Sequence, residues 1–346
     1  MDLNVIEIKG SYFETGFLLG KCHKKILKNI EEGVKEIKVD LEKIKKYESC
    51  LNKVPEIREE IEGYCEGGEI KFENFLKLKF IDYIFPKLSC TSIYLSSEFV
   101  EDKIPVVMKI RDKLPMPQYI CKKLNGNRIP YFFSGSISEI GFAFFVKENG
   151  LTGINNTGSY MKENFVNEIG FDDCDIMRII AEYCDDLENI IEIIKKFQKD
   201  KMVGCAGKRR GMIFLFAKNE EAILVETNSF NINWKKVKGK LGFTNDFLMK
   251  DSQDWIEKLD TEGVKSSLNR KKRIDEILDE NDLFNIKKLI RISRDKKYYP
   301  YSICRDTKLM PIRTISAYFV YLFPQPIVWI TCGSPYVSPF FPFFIK

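Results

Sequence analysis

The chain changes texture at residue 90, and that change limits the folds open to it. Between residues 14 and 64, Lys, Glu, Ile and Leu recur at helical spacing, with Ile26, Ile30, Val34 and Ile37 three or four residues apart. A further helix is predicted over 76–85, where Pro86 ends it just before Lys87-Leu88-Ser89-Cys90-Thr91-Ser92. Beyond that point short runs rich in Ile, Val, Phe and Tyr predict strands over 91–95, 105–110, 129–133, 141–146 and 151–155. Asn149-Gly150 supplies the positive φ that a hairpin turn requires, and 212–217 with 222–226 reads as a second hairpin. Helices are predicted over 175–183, 187–198, 267–278 and 283–290. The apolar stretch 317–330 is broken by Pro324 and Pro326 and falls short of the ~20 residues of a membrane span, so it reads as two buried strands. Segregated hairpins and helix pairs favour an α+β layered architecture over a doubly wound parallel sheet. The expected division is a helical leader, 1–89, and a catalytic domain, 90–346.

Charge and cysteine usage exclude several function classes. Lysine and arginine total 55 against 50 acidic residues, and basic runs such as Lys208-Arg209-Arg210 and Arg270-Lys271-Lys272-Arg273 are separated by acidic and apolar stretches. Neither a nucleic-acid nor a membrane partner is expected from that pattern. The N-terminus carries no secretory signal, so the ten cysteines are expected as reduced thiols in the cytoplasm. No Cys-x-x-Cys pair occurs, and His23 has no further ligands at zinc-site spacing. No metal and no cofactor are expected.

The single histidine restricts the chemistry most. Ser-His-Asp and Cys-His mechanisms need an imidazole base, and His23 lies in the helical leader far from any nucleophile in sequence. An α-amino group, with a pKa of roughly 7.7–8.0, suits the same task at neutral pH. It becomes available when a chain is cut immediately before a Cys, Ser or Thr. Cys90 stands at the junction of leader and strands, where such a cut would be useful.

Around Cys90-Thr91-Ser92 a series of short motifs is arranged in order. It begins with Gly10-Ser11-Tyr12-Phe13-Glu14-Thr15-Gly16 and Gly20. Lys109-Ile110-Arg111-Asp112 follows Cys90, then the stretch from Glu148 to Asn156 containing Asn155-Asn156, and Phe243-Thr244-Asn245-Asp246-Phe247. Ser266-Ser267-Leu268-Asn269-Arg270, Arg313-Thr314-Ile315-Ser316 and Gly333-Ser334-Pro335 complete it. In this order and spacing the chain resembles the penicillin acyltransferase-like family of N-terminal-nucleophile hydrolases. The resemblance implies a four-layer αββα sandwich and self-cleavage between Ser89 and Cys90. It implies a Cys90 thioester formed from an amide, peptide-like or acyl-thioester substrate and passed to water or an amine.

Carried over residue by residue, the family pattern makes Cys90 the nucleophile and its freed amine the base. Arg111 and Asp112 would lie on the strand after next, the carboxylate orienting the amine and the guanidinium steadying the carboxylate. Asn245 and one of Asn155 or Asn156 would donate to the oxyanion, a contribution of about 3 kcal/mol per donor in other enzymes. Arg270 would brace the site or meet a substrate carboxylate. Partners implied are a small-molecule acyl substrate, with acyl-coenzyme A as a donor by analogy, and the leader remaining bound. Two positions depart from the pattern: Ser89 stands where the family usually has glycine, and Asp246 where it tends to have histidine. Two rival readings are an uncut binding protein on the same scaffold and an uncut thiol enzyme with Asp112 as base.

Overall fold

Helical spacing in the first quarter of the chain produces a strand and four helices: β1 (Val5–Lys9), α1 (Tyr12–Lys35), α2 (Leu41–Leu51), α3 (Pro55–Gly68) and α4 (Phe72–Ile81). The computed structural model describes residues 5–81, 89–114, 117–124, 128–207, 209–305, 312–322, 325–331 and 333–345. Pro86 and the rest of 82–88, to which the expected 76–85 helix extends, lie outside the described residues. At the start of α1 the Ser11 hydroxyl accepts from Glu14 N (3.2 Å) and the Glu14 carboxylate accepts from Ser11 N (2.8 Å). This reciprocal cap satisfies two backbone donors and explains part of the first motif.

The glycines of that motif have a different task. A Cβ on Gly16 would stand 1.9 Å from Glu60 O, and one on Gly20 2.1 Å from Tyr64 O. From the other helix, Cβ atoms on Gly63 and Gly67 would meet Phe13 O at 2.2 Å and Phe17 O at 2.0 Å. The residue numbers rise together, so α1 and α3 run in the same direction with backbones in contact, each helix placing glycines four apart against the other.

Beyond residue 89 the elements are β2 (Ser89–Leu95), β3 (Val106–Lys113), β4 (Gln118–Leu124), β5 (Tyr131–Ser136), β6 (Phe142–Lys147), β7 (Thr152–Tyr160), α5 (Asp173–Tyr183) and α6 (Glu188–Lys199). They continue with β8 (Arg210–Lys218), β9 (Glu221–Thr227), β10 (Ile232–Val237), β11 (Lys240–Phe243), α7 (Glu262–Asp279), α8 (Ile286–Ser293), β12 (Arg313–Tyr321), β13 (Ile327–Ile330) and β14 (Phe341–Phe344). Among the described residues, one sheet has the order β1-β4-β5-β6-β7-β8-β9-β10 and the other β11-β2-β3-β12-β13-β14. Strands β1, β4, β10, β11 and β14 go beyond the sequence expectations.

Alternation along the strands separates three apolar layers. Phe133, Phe145, Phe214 and Phe216 join Ile176, Ile180 and Ile194 of α5 and α6 on the outside of the first sheet. Their chain neighbours Phe132, Phe144, Ile213 and Leu215 face inward and meet Tyr94, Val107, Tyr318 and Val320 of the second sheet. On the far side Ile93, Met108, Ile110 and Phe319 pack on Ile274, Leu278, Leu289 and Ile292 of α7 and α8. The fold is therefore α+β, a helix–sheet–sheet–helix sandwich. Among the described residues no helix is long and apolar enough to cross a membrane, and no described cysteine is in a disulfide.

The segment before residue 90 is wired into this sandwich. Strand β1 pairs in parallel with β4. A sealed ionic cluster joins Glu60 of α3 to Lys123 of β4 and to Arg178 of α5 (2.9 Å), and Lys123 also bonds Glu182. Tyr131 Oη (2.6 Å) and Tyr12 Oη (3.2 Å) donate to the same Glu182 carboxylate.

His23, also buried, has Nδ1 2.9 Å from Tyr64 Oη, and burial lowers its pKa from 6.5 to about 4. The folded state thus resists protonation that the unfolded chain accepts. Its contribution is present above pH 6.5 and declines as pH falls from 6.5 toward 4. Acid titration of thermal stability should show that decline, and His23→Gln should flatten it; an unchanged profile would contradict this assignment. A second expectation concerns the glycines. Gly20→Ala should destabilise by about 1–3 kcal/mol or more through backbone collision. Gly33→Ala in the same helix, where nothing lies within 4 Å, should be neutral or stabilise by up to about 1 kcal/mol. Chemical denaturation of both variants measures the contrast.

Candidate active site

Cys90 is the second residue of β2, 5% exposed. Antiparallel register puts Arg111 of β3 opposite Cys90, and Lys109 opposite Ser92. Arg111 and Asp112 therefore lie on the adjacent strand, which corrects the expected placement on the strand after next. Cross-strand partners share a face, so Cys90, Ser92, Lys109 and Arg111 point between the sheets, while Thr91 and Asp112 point toward α7.

That alternation also corrects the expected Arg111–Asp112 partnership. Arg111 reaches into the first sheet: Nη2 donates to Glu139 Oε2 (2.7 Å), and Nη1 to Gln118 Oε1 (2.8 Å) and Ser136 Oγ (3.3 Å). Asp112, fully buried on the opposite face, takes a hydrogen bond from Thr314 Oγ1 to Oδ1 (2.7 Å), and its Oδ2 lies 3.6 Å from Arg305 Nε without a hydrogen bond. Burial raises the Asp112 carboxyl pKa, against the pull of Arg305 and Arg270.

Strand β11 pairs with β2 as far as Phe243 opposite Ser92. The next two residues pass alongside Thr91 and Cys90. Asn245 Oδ1 accepts from the Cys90 backbone N at 3.0 Å and from Arg270 Nη2 at 2.8 Å. Two donors fix which way the amide faces, because its nitrogen could accept neither. Asn245 Nδ2 donates to Thr157 O at 2.7 Å, so the oxygen of this side chain, rather than the expected N–H, meets Cys90. Ser267 Oγ on α7 holds the Asn245 backbone N (3.0 Å) and contacts Thr244 Oγ1 (2.9 Å), which gives a task to a serine pair that sequence singled out without one.

Arg270, on the buried face of α7 and 0% exposed, bonds the Cys90 carbonyl oxygen through Nη1 and donates to Thr91 Oγ1 at 3.0 Å. Burial, followed by repulsion from Arg305, lowers its pKa to about 10. It remains charged at neutral pH. Of its two expected roles, bracing is the one its contacts describe.

Asn155 and Asn156 lie in β7 across the inter-sheet gap. Asn156 Oδ1 accepts from Ser92 Oγ (2.8 Å), and its Nδ2 donates to Thr244 O (2.6 Å). Asn155 Nδ2 is 3.6 Å from Cys174 Sγ. Both asparagines meet Lys109, a residue that the motif contained but sequence reasoning passed over. Lys109 Nζ bonds Asn155 O, Asn155 Oδ1 (3.3 Å) and Asn156 Oδ1 (3.1 Å), and Cys90 is its electrostatic neighbour. Burial lowers its pKa, and Cys90 partly offsets that. The legible signal was a lysine inside an otherwise apolar strand, Val106-Val107-Met108-Lys109-Ile110.

The four-layer fold and a buried cysteine gripped at its nitrogen and carbonyl point to an enzyme of the hydrolase and acyltransferase class. A model of the family described as acyl-coenzyme A:6-aminopenicillanic acid acyl-transferase matches residues 129–336. That is more than half of the chain, and the protein belongs to this penicillin acyltransferase-like family of N-terminal-nucleophile hydrolases. Asn155, Asn156, Asn245 and Arg270 fall inside the match; Cys90, Lys109, Arg111 and Asp112 precede it. No curated protein matches the chain. Similar solved structures include a mutant conjugated bile acid hydrolase from Clostridium perfringens (11% identity, 73% of this chain and 96% of that one, TM-score 0.43). A second variant of that enzyme gives 12% identity, 74% and 97% coverage and a TM-score of 0.42. The Caenorhabditis elegans ortholog of N-acylethanolamine-hydrolyzing acid amidase gives 10% identity, 67% and 92% coverage and a TM-score of 0.44.

Lys109 shares the inter-sheet face of β2 and β3 with Cys90 and is its electrostatic neighbour. Lys109→Met should slow alkylation of Cys90 by iodoacetamide at neutral pH on the order of tenfold. An unchanged rate, read by peptide mass spectrometry, would remove Lys109 from the site's chemistry.

Proposed function

We propose that the chain is a self-processing cysteine N-terminal-nucleophile enzyme. It cuts its own Ser89–Cys90 bond and then hydrolyses or transfers the acyl group of an amide, peptide-like or acyl-thioester substrate through a Cys90 thioester. One observation carries the reading: the Cys90 backbone nitrogen is held at 3.0 Å by Asn245 Oδ1. A nitrogen freed by scission would keep that acceptor, and Asp112 Oδ2, across the strand from Ser89 and without a hydrogen bond among the described residues, offers it a second.

The chemistry balances without an outside reagent. In the first step Cys90 Sγ attacks the Ser89 carbonyl carbon, the C–N bond breaks, the nitrogen takes the thiol proton, and water hydrolyses the resulting thioester. In turnover the free amine accepts the thiol proton as sulfur attacks the substrate carbonyl, and returns it to the departing nitrogen or sulfur. Lys109 holds the sulfur's developing negative charge. Water or an amine then accepts the acyl group, and acyl-coenzyme A is a donor consistent with the family's description. The ionic cluster at Glu60 and the β1–β4 pairing support retention of 1–89 as a bound chain beside a catalytic chain, 90–346. We place the enzyme in the cytosol with reduced thiols.

A second reading is favoured by Lys109 itself. A buried amine on the same face as Cys90 would serve as base in an uncut thiol enzyme, a role for which Asp112, on the other face of β3, is wrongly placed.

Intact-mass analysis of purified protein separates these. Two co-purifying polypeptides, the heavier beginning at Cys90, are expected, with Cys90→Ala remaining one chain and losing turnover by at least about 10³-fold. A single uncut chain that forms an acyl-enzyme with an acyl thioester would support the lysine reading instead. Full turnover by Cys90→Ala would end both.

A further inference from the structure

The space between the sheets is apolar over most of its area, but at the Cys90 end β12 turns two hydroxyls into it. Ser316 pairs with Arg111 and Tyr318 with Lys109, the β3 residues that stand opposite Cys90 and Ser92 on the other side. Cys90, Arg111 and Ser316 therefore form one row across three strands, and Ser92, Lys109 and Tyr318 the next. A register shift between Thr314 and Ser316 makes this possible. It lets Thr314 bond Asp112 on the helix side while Ser316, two residues on, faces inward; bulges re-aim side chains in this way.

Among the described residues neither Ser316 Oγ nor Tyr318 Oη has a hydrogen-bond partner, although the two are only 2% and 1% exposed. An unsatisfied buried hydroxyl is destabilising, and two together ask for a physical reason. The asparagines expected to serve the oxyanion each have one amide hydrogen already directed elsewhere, to Thr157 O, Thr244 O and Cys174 Sγ. The Tyr318 ring is held against Phe144 with centroids 4.2 Å apart, so its oxygen is aimed rather than free to swing. Burial raises the phenol's pKa well above the ordinary value, and Arg111, Cys90 and Cys174 are its electrostatic neighbours. It is a neutral, unoccupied donor on the inter-sheet face, one row along from the nucleophile.

We propose that Tyr318 is a catalytic residue whose hydroxyl donates to the substrate carbonyl oxygen as Cys90 attacks, with Ser316 binding the adjoining part of the acyl group. This rests on Cys90 being the nucleophile. As the S–C bond forms, the carbonyl π pair moves onto oxygen, and the Tyr318 O–H stabilises it without surrendering its proton. When the C=O bond re-forms, the C–N bond breaks and the departing nitrogen takes the proton held by the Cys90 amine. The ligand is thus an acyl group entering between the sheets over β12.

The test compares Tyr318→Phe and Ser316→Ala with the parent enzyme on a panel of N-acyl aminocoumarin amides. Turnover is counted per polypeptide that begins at Cys90, and iodoacetamide alkylation of Cys90 and thermal midpoint are measured alongside. Loss of one oxyanion donor lowers kcat by about 10²–10³-fold. Tyr318→Phe should show that loss with KM within about threefold, while alkylation rate and thermal midpoint stay at or above parent values because the deleted hydroxyl has no partner to lose. Ser316→Ala should chiefly raise KM. Parental kcat in Tyr318→Phe, or a fall in kcat matched by slower alkylation or a lower midpoint, would overturn the proposal. Turnover surviving in Cys90→Ala would instead overturn the nucleophile on which it rests.

Discussion

One buried guanidinium holds the centre of this molecule together. Arg270 is fully buried, and a charge in that position is tolerable only when its hydrogens are bonded. The Cys90 carbonyl, Thr91 Oγ1 and Asn245 Oδ1 supply those bonds, and between them they fix the backbone of β2, the strand end that follows β11, and the orientation of Asn245. That orientation decides what Asn245 shows to Cys90. With Arg270 directed at Oδ1, the oxygen also meets the Cys90 nitrogen, and the cysteine is gripped along its backbone while its thiol faces Lys109.

The pleat of β3 then distributes the charges. Lys109 and Arg111 face the first sheet beside the thiol, whereas Asp112 turns toward α7 with Thr314 and Arg305. Acid and base chemistry is thereby kept on opposite sides of one strand, with the Cys90 nitrogen between. A β12 bulge serves both sides, sending Thr314 to Asp112 and Ser316 to the thiol's face. Outside this core the close α1–α3 contact and the Glu60 cluster fasten residues before the proposed cut to those after it.

Much of this was legible in the sequence, in proportion to how local the cause was. Helical spacing, the Asn149-Gly150 turn and the β8–β9 hairpin are properties of neighbouring residues. Strand β4 was hidden because Lys123 reads as polar, although Glu60 and Glu182 neutralise it in the interior. Strand β10 was hidden by the exposed Lys235 and Lys236, and β14 by Pro342, which sheet-edge strands tolerate. Among site residues, sequence singled out Cys90, Asn245 and Arg270, which the fold brings into direct contact. It paired Arg111 with Asp112 on the family pattern, but the two are adjacent in a strand, and that adjacency separates their side chains. Lys109 and Tyr318 escaped notice because their significance lies in register across three strands, and no single motif records that.

The proposed function turns on thiol and free amine belonging to one residue. Cyanobenzothiazole condenses only with a cysteine carrying both groups, so treating active protein with it, then mapping the adduct by peptide mass spectrometry, reads that property directly. An adduct on the peptide beginning at Cys90, formed in step with loss of turnover, is the predicted result. Full activity in protein whose Cys90 thiol is accessible to iodoacetamide but never forms the adduct would contradict it.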